Sequence, residues 1–300
     1  MSQAFSFSQQ VPEPSQAPPD ARPSETNNLA NMDPSARSRL ITDLSRFMLF
    51  KALSGEPIDR SKLAKESFPK NLQNARVVNA AVKAASTRMQ DVFGLSVKRA
   101  PESILTNKQM PSKYKERLFV VNEIQDDESG SHSKALHGIH LSSSIEKGLL
   151  MLVLAFIYCK GEVKDHMRWL NASALFRLLH SVDENIAAEP AAEGKNKRES
   201  ISSPLAVNGD APGVALTPDV DALLEKFVHI DYLVKHKFEG VGDGTPEDNT
   251  FLYAIGPRAL LVVGLKQIIC FCAQVLDQEP DQTMLQELSQ ANEAEDENNA

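Results

Sequence analysis

Cysteine is scarce in this 300-residue chain: there are three, Cys159, Cys270 and Cys272, all in apolar stretches. Three cysteines build no disulfide framework, and Cys270-x-Cys272 lacks the two-residue spacing of a redox or zinc pair. They read as reduced core thiols of an intracellular protein. Long apolar runs are missing too. The longest, Leu149 to Cys159, is eleven residues, against the ~20 that a membrane-crossing helix needs, so no membrane partner is expected. The N-terminus is polar and rich in Gln, Ser and Pro, with no signal-peptide pattern. A phosphate-binding loop, an HExxH helix and a nucleophile elbow are all absent, which argues against an enzyme. Gly240-x-Gly242-x-Gly244 falls between two expected strands and is not a dinucleotide fingerprint. His132, His137 and His140 stand in a polar stretch without cysteine. Neither a metal nor a cofactor is expected.

Charge of one sign is lacking from the ends only. The formal net charge is −8. Residues 1–36 carry four acids and one base, and residues 277–300 carry eight acids and no base. Removing both from 40 acids and 32 bases leaves 28 acids and 31 bases, a net of +3 over residues 37–276. The middle of the chain is mildly basic, so the overall charge does not exclude nucleic acid as a partner.

What is present reads as two blocks of similar order. Residues 1–32 are expected to be a disordered tail. In the first block, 33–125, Asp33 caps a helix with Pro34 at its first position, and Leu40, Ile41, Leu44, Phe47 and Met48 recur at helical spacing. Gly55 stops it, Pro57-Ile58 is extended, and Asp59 caps a short helix to about Lys65. A third helix runs from Asn74 to Phe93 with Gly94 at its end. Leu95–Val97 and Arg117–Ile124 read as strands separated by a polar loop. Three helices and two strands in this order are a winged helix. Residues 126–142 read as a linker. The second block, 143–276, opens on the capping box Ser143-x-x-Glu146 before the apolar helix to Cys159, which Gly161 ends. Helical segments are expected to about Leu179, then a mobile insertion over 187–216. A helix starting at Thr217-Pro218, strands over Tyr232–Phe238 and Thr250–Ile255, and one long helix from Gly256-Pro257 to about Leu276 complete the block. Residues 277–300 form an acidic tail. The fold class is mainly α with small β-wings, as tandem winged-helix modules.

Two sets of residues stand out. Phe47, Met48 and Leu49 are consecutive apolar positions on a helix, about 100° apart, so they cannot all face one small core. Either one of them meets a partner, or the helix is sandwiched within the domain. Lys235 and Lys237 share one face of a strand, with Tyr232, Val234, His236 and Phe238 on the other. Such a strand suits a wing touching phosphates, and equally any solvated strand. Lys226 and Arg258 are weaker candidates of the same kind, and Arg258 could instead brace the fold. The Lys195–Arg198 cluster reads as a solubilising loop. Base-specific readout is disfavoured, because the 217–229 helix presents Asp219, Asp221 and Glu225 beside Lys226.

Several stretches resemble the MAGE family: 147–161 (KGLLMLVLAFIYCKG), 251–259 (FLYAIGPRA), Phe47–Lys51, Glu56–Ile58 and Val92–Leu95. The resemblance spans roughly 37–276 and rests on order and spacing rather than on one motif. Divergence from the animal antigen proteins points to the family's general eukaryotic branch, a subunit of the Smc five–six chromosome complex. That resemblance implies a RING-type ubiquitin ligase subunit held by the first module near Phe47, Met48 and Leu49. It implies a kleisin subunit held by the second near Phe156, Leu260 and Leu261. Indirect contact with Smc-type ATPases, weak sequence-independent DNA binding and a nuclear, chromosome-associated location follow from it. A ligase adaptor outside that complex is the alternative. In the family a Leu-Leu pair often stands where Met48-Leu49 stands here, and the 187–216 insertion unsettles the alignment from Trp169 to Leu179.

Overall fold

A computed structural model describes residues 29–122, 141, 143–165, 167–190, 219–237 and 251–280. Helix α1 (Pro34–Leu53) starts where local chemistry dictates: the Asp33 carboxylate accepts from the Ala36 amide at 3.0 Å and Pro34 takes the first turn. Strand β1 (Ile58–Asp59) leads into α2 (Arg60–Ser67). Asp59 does not cap α2, contrary to expectation. Its carboxylate instead takes Lys62, three positions on, at 3.2 Å and Arg117 at 3.4 Å, the latter a partner outside the reach of a local reading. Helix α3 (Ala75–Phe93) is capped by the Asn74 side chain and closed by Gly94 at φ 65°. Strands β2 (Leu95–Arg99) and β3 (Arg117–Asn122) pair antiparallel from Leu95↔Asn122 to Arg99↔Leu118, and β1 adds to the other edge of β3. The segment between them is not simple loop, for it holds α4 (Glu102–Leu105) and a 3₁₀ turn over Ser112–Lys115. Leu44, Met48, Val78, Ala81, Ala85 and Met89 form the first module's core. Leu29 belongs to that core as well, so the last residues of the expected tail are anchored.

The second module begins at α5 (Ser144–Lys160), with the Ser143 hydroxyl accepting from the Glu146 amide at 3.1 Å. The helical segments expected to follow are, at first, strands: β4 (Glu162–Lys164) and β5 (Met167–Asn171) precede α6 (Ala172–Val182). Strand β5 is covered on both faces, Met167 and Trp169 on one and Leu170 on the other, so it shows no alternation. Helix α7 (Val220–His229) is capped by Asp219, while Thr217 and Pro218 lie outside the described residues. Strands β6 (Leu233–Lys237) and β7 (Phe251–Ile255) complete a sheet of order β4-β5-β7-β6. The final helix is two helices, α8 (Pro257–Val262) and α9 (Gly264–Val275), because Gly264 adopts φ 77°, a left-handed conformation that breaks the helical path. Leu141, at the end of the expected linker, is buried in the second core. The rest of that linker, the insertion from 191, Phe238 and the wing loop, the acidic tail from 281 and the three linker histidines lie outside the described residues. Among the described residues no helix is long and apolar enough to cross a membrane.

A third core joins the modules. Phe119 and Val121 of β3, with Ala100, Ile104 and Tyr114, meet Met167, Trp169, Val234, Leu252 and Ala254 of the second sheet. Strand alternation explains the division: Leu118 and Val120 face the first core, whereas Phe119 and Val121 face the junction. Tyr253 and Ile255 likewise serve the second core, and Leu252 and Ala254 the junction. An ion pair closes this seam. Arg117 Nη1 donates to both carboxylate oxygens of Asp231 at 2.6 Å, and the Asp231 side chain is only 1% exposed. Asp231 sits at φ 64° between α7 and β6, and its carbonyl accepts the Arg258 amide at 3.1 Å. Gly256 runs so close that a Cβ there would lie 2.4 Å from the Asp231 carbonyl oxygen.

Removing one partner of a buried pair strands the other charge. Asp231→Ala therefore lowers the unfolding free energy by about 3–5 kcal/mol in urea titration. The double variant Asp231→Leu/Arg117→Met recovers much of that loss. A single variant as stable as the parent would show that the pair does not hold the seam.

Candidate functional site

The three consecutive apolar residues of α1 divide by depth. Met48 is wholly buried, while Phe47 and Leu49 are half-buried against the same core. Met48 is thus a core residue and offers nothing to a partner in this conformation. The apolar residue most open to solvent lies one position further on: Phe50 is 70% exposed, and Leu53, one turn later, 50%. Leu49, Phe50 and Leu53 share one helical face (i, i+1, i+4), opposite the buried Leu44–Met48–Ala52 line. Sequence reasoning missed Phe50 and Leu53, although the signal was there. The buried line at i, i+4, i+8 fixes which face is left over. The Lys51 ammonium lies 5.6 Å from the Phe47 ring centroid and pairs with Glu56, which keeps a charged rim beside the stripe.

The four basic candidates are scattered. Lys226 Nζ donates to Glu146 at 2.7 Å; Glu146 is buried in the first turn of α5, so this pair ties α7 to α5. Lys235 Nζ donates to Glu225 at 2.6 Å and lies 4.0 Å above the Phe251 ring. Lys235 therefore leans toward α7, and the face of β6 opposite it, at Val234, is not the module's own interior but the junction between modules. Arg258 is 3% exposed; its Nε donates to the Ile230 carbonyl at 2.7 Å and its guanidinium lies 5.5 Å from the Phe119 ring. Burial holds its pKa below the ordinary arginine value. Of the two readings of Arg258, the geometry has the brace: its side chain is buried and bonded within the fold and is not a surface contact. Lys237 is the exposed member.

The apolar candidates of the second module are split in the same way. Phe156 is half-buried against the second core. Leu260 touches that core and the junction, and Leu261 packs on the junction alone. Their inward edges are thus already occupied by this chain. Two buried hydroxyl or ring N–H groups near the junction, Tyr232 Oη and Trp169 Nε1, have no hydrogen-bond partner among the described residues. Burial pushes the Tyr232 phenol up to about 12, so it stays protonated. Among the described residues no group of three or more His, Cys, Asp or Glu side chains could hold a metal ion.

Two winged-helix modules, each with a helical core and a small antiparallel sheet, fused through a common apolar seam, define a tandem winged-helix protein. The MAGE homology domain model matches residues 44–266, which takes in both modules, and the chain belongs to the MAGE family. A solved structure titled "Nse1-Nse3-Nse4 complex" contains a chain of similar fold. The match has a TM-score of 0.57 at 16% identity and covers 86% of this chain and 100% of that one. No curated protein matches this sequence.

The burial difference separates the basic residues experimentally. Arg258→Ala removes a buried hydrogen-bonded cation and lowers stability by about 2–4 kcal/mol, whereas Lys237→Ala stays within ~0.5 kcal/mol of the parent in urea unfolding. Equal effects would contradict the brace.

Proposed function

We propose that this chain is a non-catalytic subunit of the Smc five–six chromosome maintenance and DNA-repair complex. It bridges a RING-type ubiquitin ligase subunit and a kleisin subunit, and through the kleisin reaches the Smc-type ATPases. The supporting observation is its membership of the MAGE family across both modules, together with a fold shared along the whole of a chain from the Nse1-Nse3-Nse4 complex. That complex gives the neighbour its assembly; the present chain's own contribution is an exposed apolar face where a partner helix or domain can dock. The stripe Leu49–Phe50–Leu53, with Phe47 at its margin, is the surface offered to the RING subunit. Its rank here follows from exposure, since apolar side chains left open together on a helix recover free energy when a partner covers them.

The kleisin contact falls on the outward edges of Phe156, Leu260 and Leu261 in the second module, as a helix laid against a groove. Binding to DNA is weak and sequence-blind, with Lys237 as its exposed lysine; Lys226 and Lys235 contribute less because carboxylates already hold them. Nuclear, chromosome-associated localisation goes with this role, as does stimulation of the ligase partner rather than chemistry by the chain itself. A MAGE-type ligase adaptor outside the complex uses the same α1 surface and no kleisin.

Affinity purification of the full-length protein from its native cells, followed by mass spectrometry, tests the reading. Recovery of a RING protein, a kleisin and two large coiled-coil ATPases supports it. A RING protein without the other three points to the free adaptor. Phe50→Asp combined with Leu53→Asp is expected to lower RING-subunit recovery at least tenfold with an unchanged melting temperature, because both side chains face solvent. Undiminished recovery from that variant would move the RING contact off α1.

A further inference from the structure

The function above makes no use of the thiols. Cys159 was expected in the core, yet it is exposed on the last turn of α5. Its Sγ lies 3.6 Å from that of Cys272, which is half-buried on α9 and 113 positions away in sequence. The Arg168 guanidinium lies 5.3 Å from the ring of Tyr158, the residue before Cys159. Cys270 is about 200° around α9 from Cys272, which puts it on a different face.

We propose that Cys159 and Cys272 are a modification site: hydroperoxides oxidise them to a disulfide that fastens α9 to α5. Sulfur–sulfur contact at 3.6 Å has to close to about 2 Å, with the two Cβ atoms about 3.8 Å apart. In the first step the Cys159 thiolate attacks hydrogen peroxide. An S–O bond forms, the O–O bond breaks, and hydroxide leaves and collects the proton that Cys159 released, giving water. In the second step the Cys272 sulfur attacks the Cys159 sulfenic acid. The S–S bond forms, the S–O bond breaks, and the departing hydroxide takes the Cys272 proton as a second water. Two thiols and one peroxide thus become one disulfide and two waters.

The order follows from access. Burial pushes the Cys272 thiol up to about 12, so the exposed Cys159 meets the oxidant first. The bond closes a loop of more than a hundred residues that includes α6, α7 and the wing strands, which restricts the unfolded chain.

The test uses the full chain, treated with hydrogen peroxide, blocked with N-ethylmaleimide and digested with chymotrypsin, which cleaves after Phe271 and so separates Cys270 from Cys272. The expected result is one linked pair, 159 to 272, with Cys270 alkylated. The melting temperature rises by roughly 5–10 °C and returns with dithiothreitol. Cys270→Ser keeps the rise, and Cys159→Ser and Cys272→Ser each abolish it. Cys159 recovered as sulfinic acid without a link, or a link that uses Cys270, overturns the proposal, as does a peroxide-treated protein with three free thiols.

Discussion

The contact between Arg117 and Asp231 is the point on which the arrangement of the two modules turns. A carboxylate as deeply buried as that of Asp231 is costly to keep ionised unless a cation reaches it. Here the cation comes from the other module, and it donates to both oxygens from one nitrogen. Lys113 adds a second positive charge at 4.0 Å, and Asp59 holds Arg117 from the side of its own module. Pulling the modules apart would return these groups to water, so the pair adds less to the stability of the seam than to its register. The apolar seam supplies non-directional attraction, and sheets covered on both faces can slide. An ion pair with 2.6 Å contacts cannot. Asp231 also ties local elements together: its amide and carbonyl bond to the end of α7 and the start of α8, beside the glycine that lets these backbones meet.

That constraint explains why the seam was invisible in the sequence while most element ends were legible. Caps depend on neighbours three or four positions away. Asp33 with Pro34, Asn74 with Gly94, and Ser143 each made the bond their local pattern required. Strand β3 gave a clear strand signal, but an apolar run such as Leu118–Val121 does not say that alternate residues serve two different cores. Strand β5 failed for the same reason in a stronger form. With Met167, Trp169 and Leu170 all covered, period two vanished and the segment read as helix. The break at Gly264 was missed because one glycine in an apolar helical pattern is ordinarily tolerated. Only its positive φ distinguishes it.

The candidate surfaces show the same limit at the level of side chains. A strand lysine two residues from another reads as solvent-facing whether or not a carboxylate waits on a neighbouring helix. Glu225 and Glu146 are distant from Lys235 and Lys226 in the pattern a reader scans, yet each takes the ammonium at under 3 Å. Arg258 was open to two readings, and its burial decided between them. On α1 the reverse occurred. Phe47, Met48 and Leu49 are adjacent apolar positions about 100° apart, yet all three reach the first core, Met48 wholly and the other two in part. The exposed apolar face lies just past them, at Phe50 and Leu53.

The fused seam also limits how a second partner can engage. Leu260 and Leu261 stand where both modules meet, with part of each side chain already packed by this chain. A helix docking on them faces two courses. It can cover the edges that remain open, which leaves the Arg117–Asp231 contact intact and adds modest area. Or it can enter between the modules, which gains the whole apolar seam but must desolvate or displace a buried ion pair. Removing one charge from its partner costs several kcal/mol, comparable with the hydrophobic gain from burying two leucines. The first course is therefore favoured for a partner that presents only apolar residues. The second becomes accessible to one that brings its own acid to Arg117 or its own base to Asp231, so charge at the centre of the partner helix would decide whether the modules stay closed.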